Sequence, residues 1–154
     1  MKAKQAIHVS VAHLIARGQP FERIESAPWV EGIEARLGFA LPASLRLLVS
    51  HYRFPSLELS GIEFFSNLGE DSDDDLTVAP FRDKGLLEWF QANRRFHFAR
   101  PATGSYDPIC LESRGKQSTV VEQIDHEDIL LCRKKVRSSA LSSSLEEFLQ
   151  RAAA

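Results

Sequence analysis

Cysteine is scarce in this chain, with only Cys110 and Cys132 among 154 residues. Two cysteines without metal-ligand spacing cannot build a closed zinc site. Both sit in apolar, strand-like runs, beside Ile109 and Leu111 and after Leu131, where a free thiol packs as a small buried hydrophobe. A nucleophilic thiol needs an exposed, electropositive setting that such neighbours do not supply. A disulfide between neighbouring strands is conceivable, but the reducing cytoplasm, where we place this chain, disfavours it. Long apolar runs are missing too. Ile129-Leu130-Leu131-Cys132 falls far short of the roughly 20 residues that span a bilayer, and His8, Ser10 and His13 interrupt the apolar stretch near the N-terminus, against a secretory signal. Gly61, Gly69 and Gly104 stand singly, so there is no glycine-rich phosphate loop.

What is present suits one globular domain. Hydrophobic residues make up 44% and charged residues 26% of the chain, enough apolar surface for a sizeable core and too much for a disordered tail. Residues 1–22 read as an N-terminal amphipathic helix, with Ile7, Val11, Leu14 and Ile15 at helical spacing, packed on a domain formed by residues 23–154. The formal net charge of -2 and the lack of aromatics interleaved with basic residues argue against nucleic acid as a partner. The late cluster Arg133, Lys134, Lys135 and Arg137 is read as a solvated edge strand, guarded by its cations against sheet-to-sheet pairing.

Ser26 is placed to cap a helix in which Pro28 loses no hydrogen bond, and Val30, Ile33 and Leu37 then share one face. Gly38 closes that helix, and Pro42 opens a second one whose stripe is Leu45, Leu48, Val49 and Tyr52. Such a hairpin must lean on a sheet to hide both stripes. Leu57 and Leu59 alternate with polar neighbours until Gly61, where the phase slips, the mark of a bulge or tight turn. Asp83 to Arg95 is predicted helical with Leu86, Leu87 and Phe90 inward, and Phe96-His97-Phe98, Tyr106–Leu111 and Thr119–Ile124 are predicted strands. A last helix keeps Leu145, Phe148, Leu149 and Ala152 on one face behind a serine capping box. The order predicts an α+β domain with a mixed, mostly antiparallel sheet flanked by helices.

The chemistry-bearing patterns resolve into ordinary structure. Asp125-His126-Glu127-Asp128 invites a catalytic or metal reading, but adjacent side chains cannot converge on one centre, so it is read as a turn or helix start. Ser105, His126 and Asp107 form a triad on paper only, because no nucleophile elbow surrounds Ser105. Asp71, Asp73 and Asp75 mimic the first ligands of a calcium loop, yet Leu76 stands where glycine is needed and Arg82 where the bidentate glutamate belongs. No catalytic residue, metal or cofactor is assigned.

Five segments in order, Leu37-Gly38, Leu41-Pro42-Ala43-Ser44-Leu45-Arg46, Ser60-Gly61-Ile62-Glu63-Phe64-Phe65, the stretch from Phe98 to Leu111 with Val120-Val121 and Asp125-His126-Glu127-Asp128, and Ser144-Leu145-Glu146-Glu147-Phe148-Leu149, resemble the SMI1/KNR4 family, also called the SUKH superfamily. The resemblance runs from Pro28 to Leu149. It departs after the second helix, where His51-Tyr52-Arg53-Phe54-Pro55 replaces the family's usual turn, and at Leu45, where an aromatic is common. The resemblance implies a non-catalytic immunity protein that binds and blocks a cognate bacterial toxin. Fungal relatives imply a regulatory scaffold instead, and an enzyme built on His126 and its carboxylates is the third reading.

Charge adds a candidate contact surface. Between Phe54 and Asn93, nine acidic residues face two basic ones, a net of -7 in a chain that totals -2. Glu70, Asp71, Asp73, Asp74 and Asp75 are therefore the candidate partner-binding residues, an acidic landing site for a basic protein, set against the plainer reading of a solvated loop.

Overall fold

The computed structural model describes residues 2–69 and 72–154. Its centre is a six-stranded antiparallel sheet in simple chain order. The strands are β3 (Leu57–Leu59), β4 (Ile62–Phe64), β5 (Arg95–Pro101), β6 (Ile109–Glu112), β7 (Val121–Ile124) and β8 (Ser138–Ser142). A small ribbon pairs β1 (Glu22–Arg23) with β2 (Tyr52–Arg53). The fold is α+β, and each strand pair is antiparallel.

Three helices close one face of the sheet. α1 (Ala3–Ala16), α3 (Ala43–His51) and α6 (Leu145–Ala153) pack on one another, and their Ile7, Val11, Leu14, Leu45, Leu48, Val49, Phe148 and Leu149 join Phe64, Phe96, Phe98, Leu111 and Val121 of the strands in one core. The N-terminal helix is thus part of the domain's core, though Ile15 is turned out to solvent. α2 (Trp29–Leu37) adds Val30, Ile33 and Leu37 to the same core. It ends at Gly38, whose φ of 82° lies in the left-handed region that glycine enters without strain.

Local chemistry differs from the sequence reading at several ends. α2 begins at Trp29 behind Pro28 and has no side-chain cap, so Ser26 does not serve it. The phase slip after Leu59 is a two-residue hairpin turn at Ser60 and Gly61, both with positive φ. Tyr106 to Pro108 stays outside the sheet, and β6 starts at Ile109. Ser144 caps α6 by accepting from the Glu147 N–H at 3.1 Å. Cys110 is buried, whereas Cys132 lies beyond a short helix with a φ of 53° and is exposed. The sequence placed both thiols in strands because it could not see that the Ile129–Leu131 run is helical up to Leu130 and then leaves the core.

The other face of the sheet carries α4 (Lys84–Asn93) and α5 (His126–Leu130). Strand alternation sends Phe96 and Phe98 one way and His97 the other, and His97 pairs in register with Cys110, which pairs with Glu122. Cys110, Ile124, Phe90 and Ile129 make a small second core here. Arg95 binds Glu122 at 2.5 Å and Glu112 at 3.3 Å across neighbouring strands. A bulge between His97 and Ala99 breaks the ladder and bends β5 where the cavity described next opens.

Candidate functional site

A concavity of about 750 Å3 lies on this second face between α4, the 3-10 turn Ala79–Phe81, α5 and the segment before β6. Phe65, Phe90 and His97 form its floor, and Tyr106, His126 and Leu130 its far side. The floor is a row of rings, with His97 4.9 Å from Phe65 and 5.6 Å from Phe90 between centroids. His97 has a buried Nε2 without a hydrogen-bond partner among the described residues. Burial is the main reason its imidazole is pushed down to about 4, opposed by a backbone bond at Ala99 and helped by Arg100. The ring is uncharged at neutral pH.

Arg100 stands at one edge of the cavity and is spoken for. It donates to Glu63 at 2.7 Å and pairs with Asp74 at 3.2 Å, and the Glu63 hydrogen bond is the chief cause that raises its pKa. At the opposite edge His126 begins α5. Its Nδ1 lies 2.6 Å from Asp107 Oδ1, and its backbone N–H donates to the same oxygen at 3.0 Å. Burial pushes the Asp107 carboxyl up, but the bonds from the His126 ring, the His126 N–H and Gln123 outweigh it and hold the group below its ordinary value. The Tyr106 ring leans edge-on against His126 at 5.9 Å. It is 83% exposed; Leu130, which lines the same cavity, is 48% exposed, and Leu131 after it is 61% exposed.

The Asp125–Asp128 segment divides its labour rather than converging on one centre. Asp125 caps α5 by accepting from the Asp128 N–H at 2.9 Å. His126 turns to Asp107. Asp128, 1% exposed, binds Arg137 at 2.9 Å and Arg133 at 2.5 Å. The Arg137 side-chain bond, then its backbone N–H, and lastly Arg133 hold the Asp128 carboxyl far below the usual range against the opposing effect of burial. Two of the four late cations are therefore an internal clamp, and the cluster lies in the loop before β8 instead of on an edge strand. The Asp–His part of the paper triad is real in space, but Ser105 Oγ accepts from the Asp107 N–H at 3.2 Å and makes no recorded bond to His126. Among the described residues no group of three or more His, Cys, Asp or Glu side chains gathers as a metal site.

The five acidic candidates are not one surface. Asp73 is 77% exposed, 4.0 Å from Arg82. Asp74 is half-buried and shares Arg100 with Glu63. Asp75 is 0% exposed and must be withdrawn from any contact surface. Its carboxylate accepts from Ser66 Oγ, the Leu68 N–H, the Thr77 N–H and Thr77 Oγ at 2.6 to 3.0 Å, so it fixes the loop from within. A run of like residues cannot reveal which member folds inward. Glu70 and Asp71 lie outside the described residues.

Sequence reasoning overlooked His97, Tyr106 and Leu130 as cavity residues. The signal for His97 was available, since a lone imidazole between two phenylalanines in a strand must face away from both. Tyr106 and Leu130 carried no comparable sign. The chain matches no known protein-family model, and no curated protein matches it. No helix among the described residues is long and apolar enough to cross a membrane.

Proposed function

We propose that this chain is a non-catalytic protein-binding module of the cytoplasm, and on its resemblance to the SMI1/KNR4 family an immunity protein that binds and neutralises a cognate toxin. The observation that supports the reading most is the rim of the cavity. Tyr106 and Leu130 both line the cavity and expose large side chains, and Leu131 follows Leu130 in the chain; grouped apolar exposure marks contact surfaces. The ionisable groups near them are spent on one another, in the Asp107–His126, Arg100–Glu63–Asp74 and Asp128–Arg137 sets. Free Cys132 at the surface suits a reducing compartment. A regulatory scaffold would use the same surface toward an endogenous protein. The test is co-expression with a candidate toxin from the native cell. Protection that disappears in Tyr106→Ala supports the immunity reading, whereas a stable complex with an endogenous protein and no protection supports the scaffold.

One observation favours a second reading. Asp107 fixes His126 through Nδ1, which leaves Nε2 for the cavity, the arrangement of an oriented general base. Turnover of any hydrolysable substrate, lost in His126→Ala with the fold intact, would establish an enzyme and displace the binding module.

A further inference from the structure

The two edges of the six-stranded sheet are finished differently. β3, at one end, carries Glu58 across from Glu63, and charge on a short edge strand deters another strand from joining it. β8, at the other end, reads Ser-Ser-Ala-Leu-Ser, without charge or proline, and Ser138, Ser139 and Ala140 are exposed in succession. Its register with β7 sets Gln123 opposite Ser139, and just outside the strand the Asp125 N–H donates to the Arg137 carbonyl at 2.9 Å. Alternate residues of an antiparallel strand turn their backbone groups to the same neighbour. Arg137 and Ser139 therefore face β7, while the N–H and C=O of Ser138 and Ala140 face away from it. Among the described residues no strand or side chain takes up those groups. Past Ala140 the edge closes, because the ladder shifts register opposite Val121 and Glu122 and Arg151 donates to the Leu141 carbonyl at 2.8 Å.

A free edge of this length is complementary to itself. When two β8 strands run antiparallel about a twofold axis through Ser139, Ser138 of each lies opposite Ala140 of the other, and every outward N–H meets an outward C=O. The same arrangement carries Lys134 and Lys135 of one copy toward the start of α6 in the other, where Glu146 and Glu147 occupy the first turn. Those lysines have no ion pair among the described residues, whereas Arg133 and Arg137 are held by Asp128. Opposite charges thus meet at both ends of the seam. An extended segment of another protein could satisfy the backbone, but by itself brings no such acidic turn.

We propose that β8 is a self-pairing edge through which two copies of this chain join their sheets. The seam is short and belongs with the weak, concentration-dependent contacts below roughly 1,200 Å2. Sedimentation equilibrium of the whole chain tests it. The average mass is expected to climb toward that of a dimer between about 10 µM and about 1 mM, and less steeply in high salt, which screens the lysine–glutamate contacts. Ser139→Lys and Ser139→Glu each set like charges on facing residues whose Cα atoms lie about 4.5 Å apart, and each alone is expected to weaken self-association several-fold. An equimolar mixture of the two regains it as a mixed dimer, which also shows that both variants fold. A mass that stays monomeric up to about 1 mM overturns the proposal and leaves the edge to a segment of another protein. A dimer that neither variant weakens places the contact elsewhere and overturns it too, as does a mixture that associates no better than either variant alone.

Discussion

The two faces of the sheet solve different problems with the same strands. On the α1–α3–α6 face, Phe96, Phe98, Leu111 and Val121 meet leucines and phenylalanines in a closed core. On the α4–α5 face the alternate positions are Arg95, His97, Cys110 and Glu122, and the two helices leave an open cavity between them. An apolar face is filled by whatever hydrophobic volume fits. A polar face must pair each buried group, and here His97 Nε2 has no hydrogen-bond partner among the described residues.

The strongest way to sharpen this contrast is truncation on each side. Leu149→Ala on the closed face, at 0% exposure, is expected to cost about 3 kcal/mol in urea unfolding. Asp75→Ala is expected to cost a similar amount, about 3 kcal/mol, because four inward-facing donors lose their acceptor. A loss under about 0.5 kcal/mol for Asp75→Ala would return that residue to the surface.

Acid should act on the polar face. Unfolded, the His97 imidazole takes a proton near 6.5, but folded it resists until about 4. Between those values the unfolded chain binds more protons, so stability is full above the upper value and falls as pH drops through the window, by at most about 3 kcal/mol. His8, lowered by burial first and then by Arg23, His51 and Lys4, acts in the same direction. Urea midpoints of the wild type and His97→Phe across this range check the assignment, and the variant's curve should be flatter.

Smaller effects map the cavity mouth. A Cβ on Gly85 would lie 3.2 Å from Leu130 Cδ2, so Gly85→Ala gains helix propensity of roughly 0.5–1 kcal/mol and spends part of it moving Leu130. Near-neutral stability with shifted Leu130 methyl resonances is the expected outcome. Asp73→Ser should leave stability within about 0.5 kcal/mol, since among the described residues its ion pair is a 4.0 Å contact with exposed Arg82.

The same comparison explains what could be read from the chain. The closed face was legible because Ile33, Leu37, Leu45, Leu48, Phe148 and Leu149 repeat at helical spacing and bury together. The Gly38 helix stop and the Ser144 cap were legible from local turn chemistry. The site was far less so. Pairings such as Asp107 with His126 and Arg100 with Glu63 span long sequence separations, and no periodicity encodes them. Asp75 looked like its acidic neighbours because burial is decided by Ser66 and Thr77, which carry no charge signal.

We propose that this molecule acts through the open face of its sheet, with no reaction of its own. The most direct measurement is the partner's affinity for Tyr106→Ala, a side chain already 83% exposed whose removal leaves the fold undisturbed. A loss of tenfold or more, about 1.4 kcal/mol, with unchanged unfolding, is the result expected. Unchanged affinity would place the contact elsewhere and contradict the account.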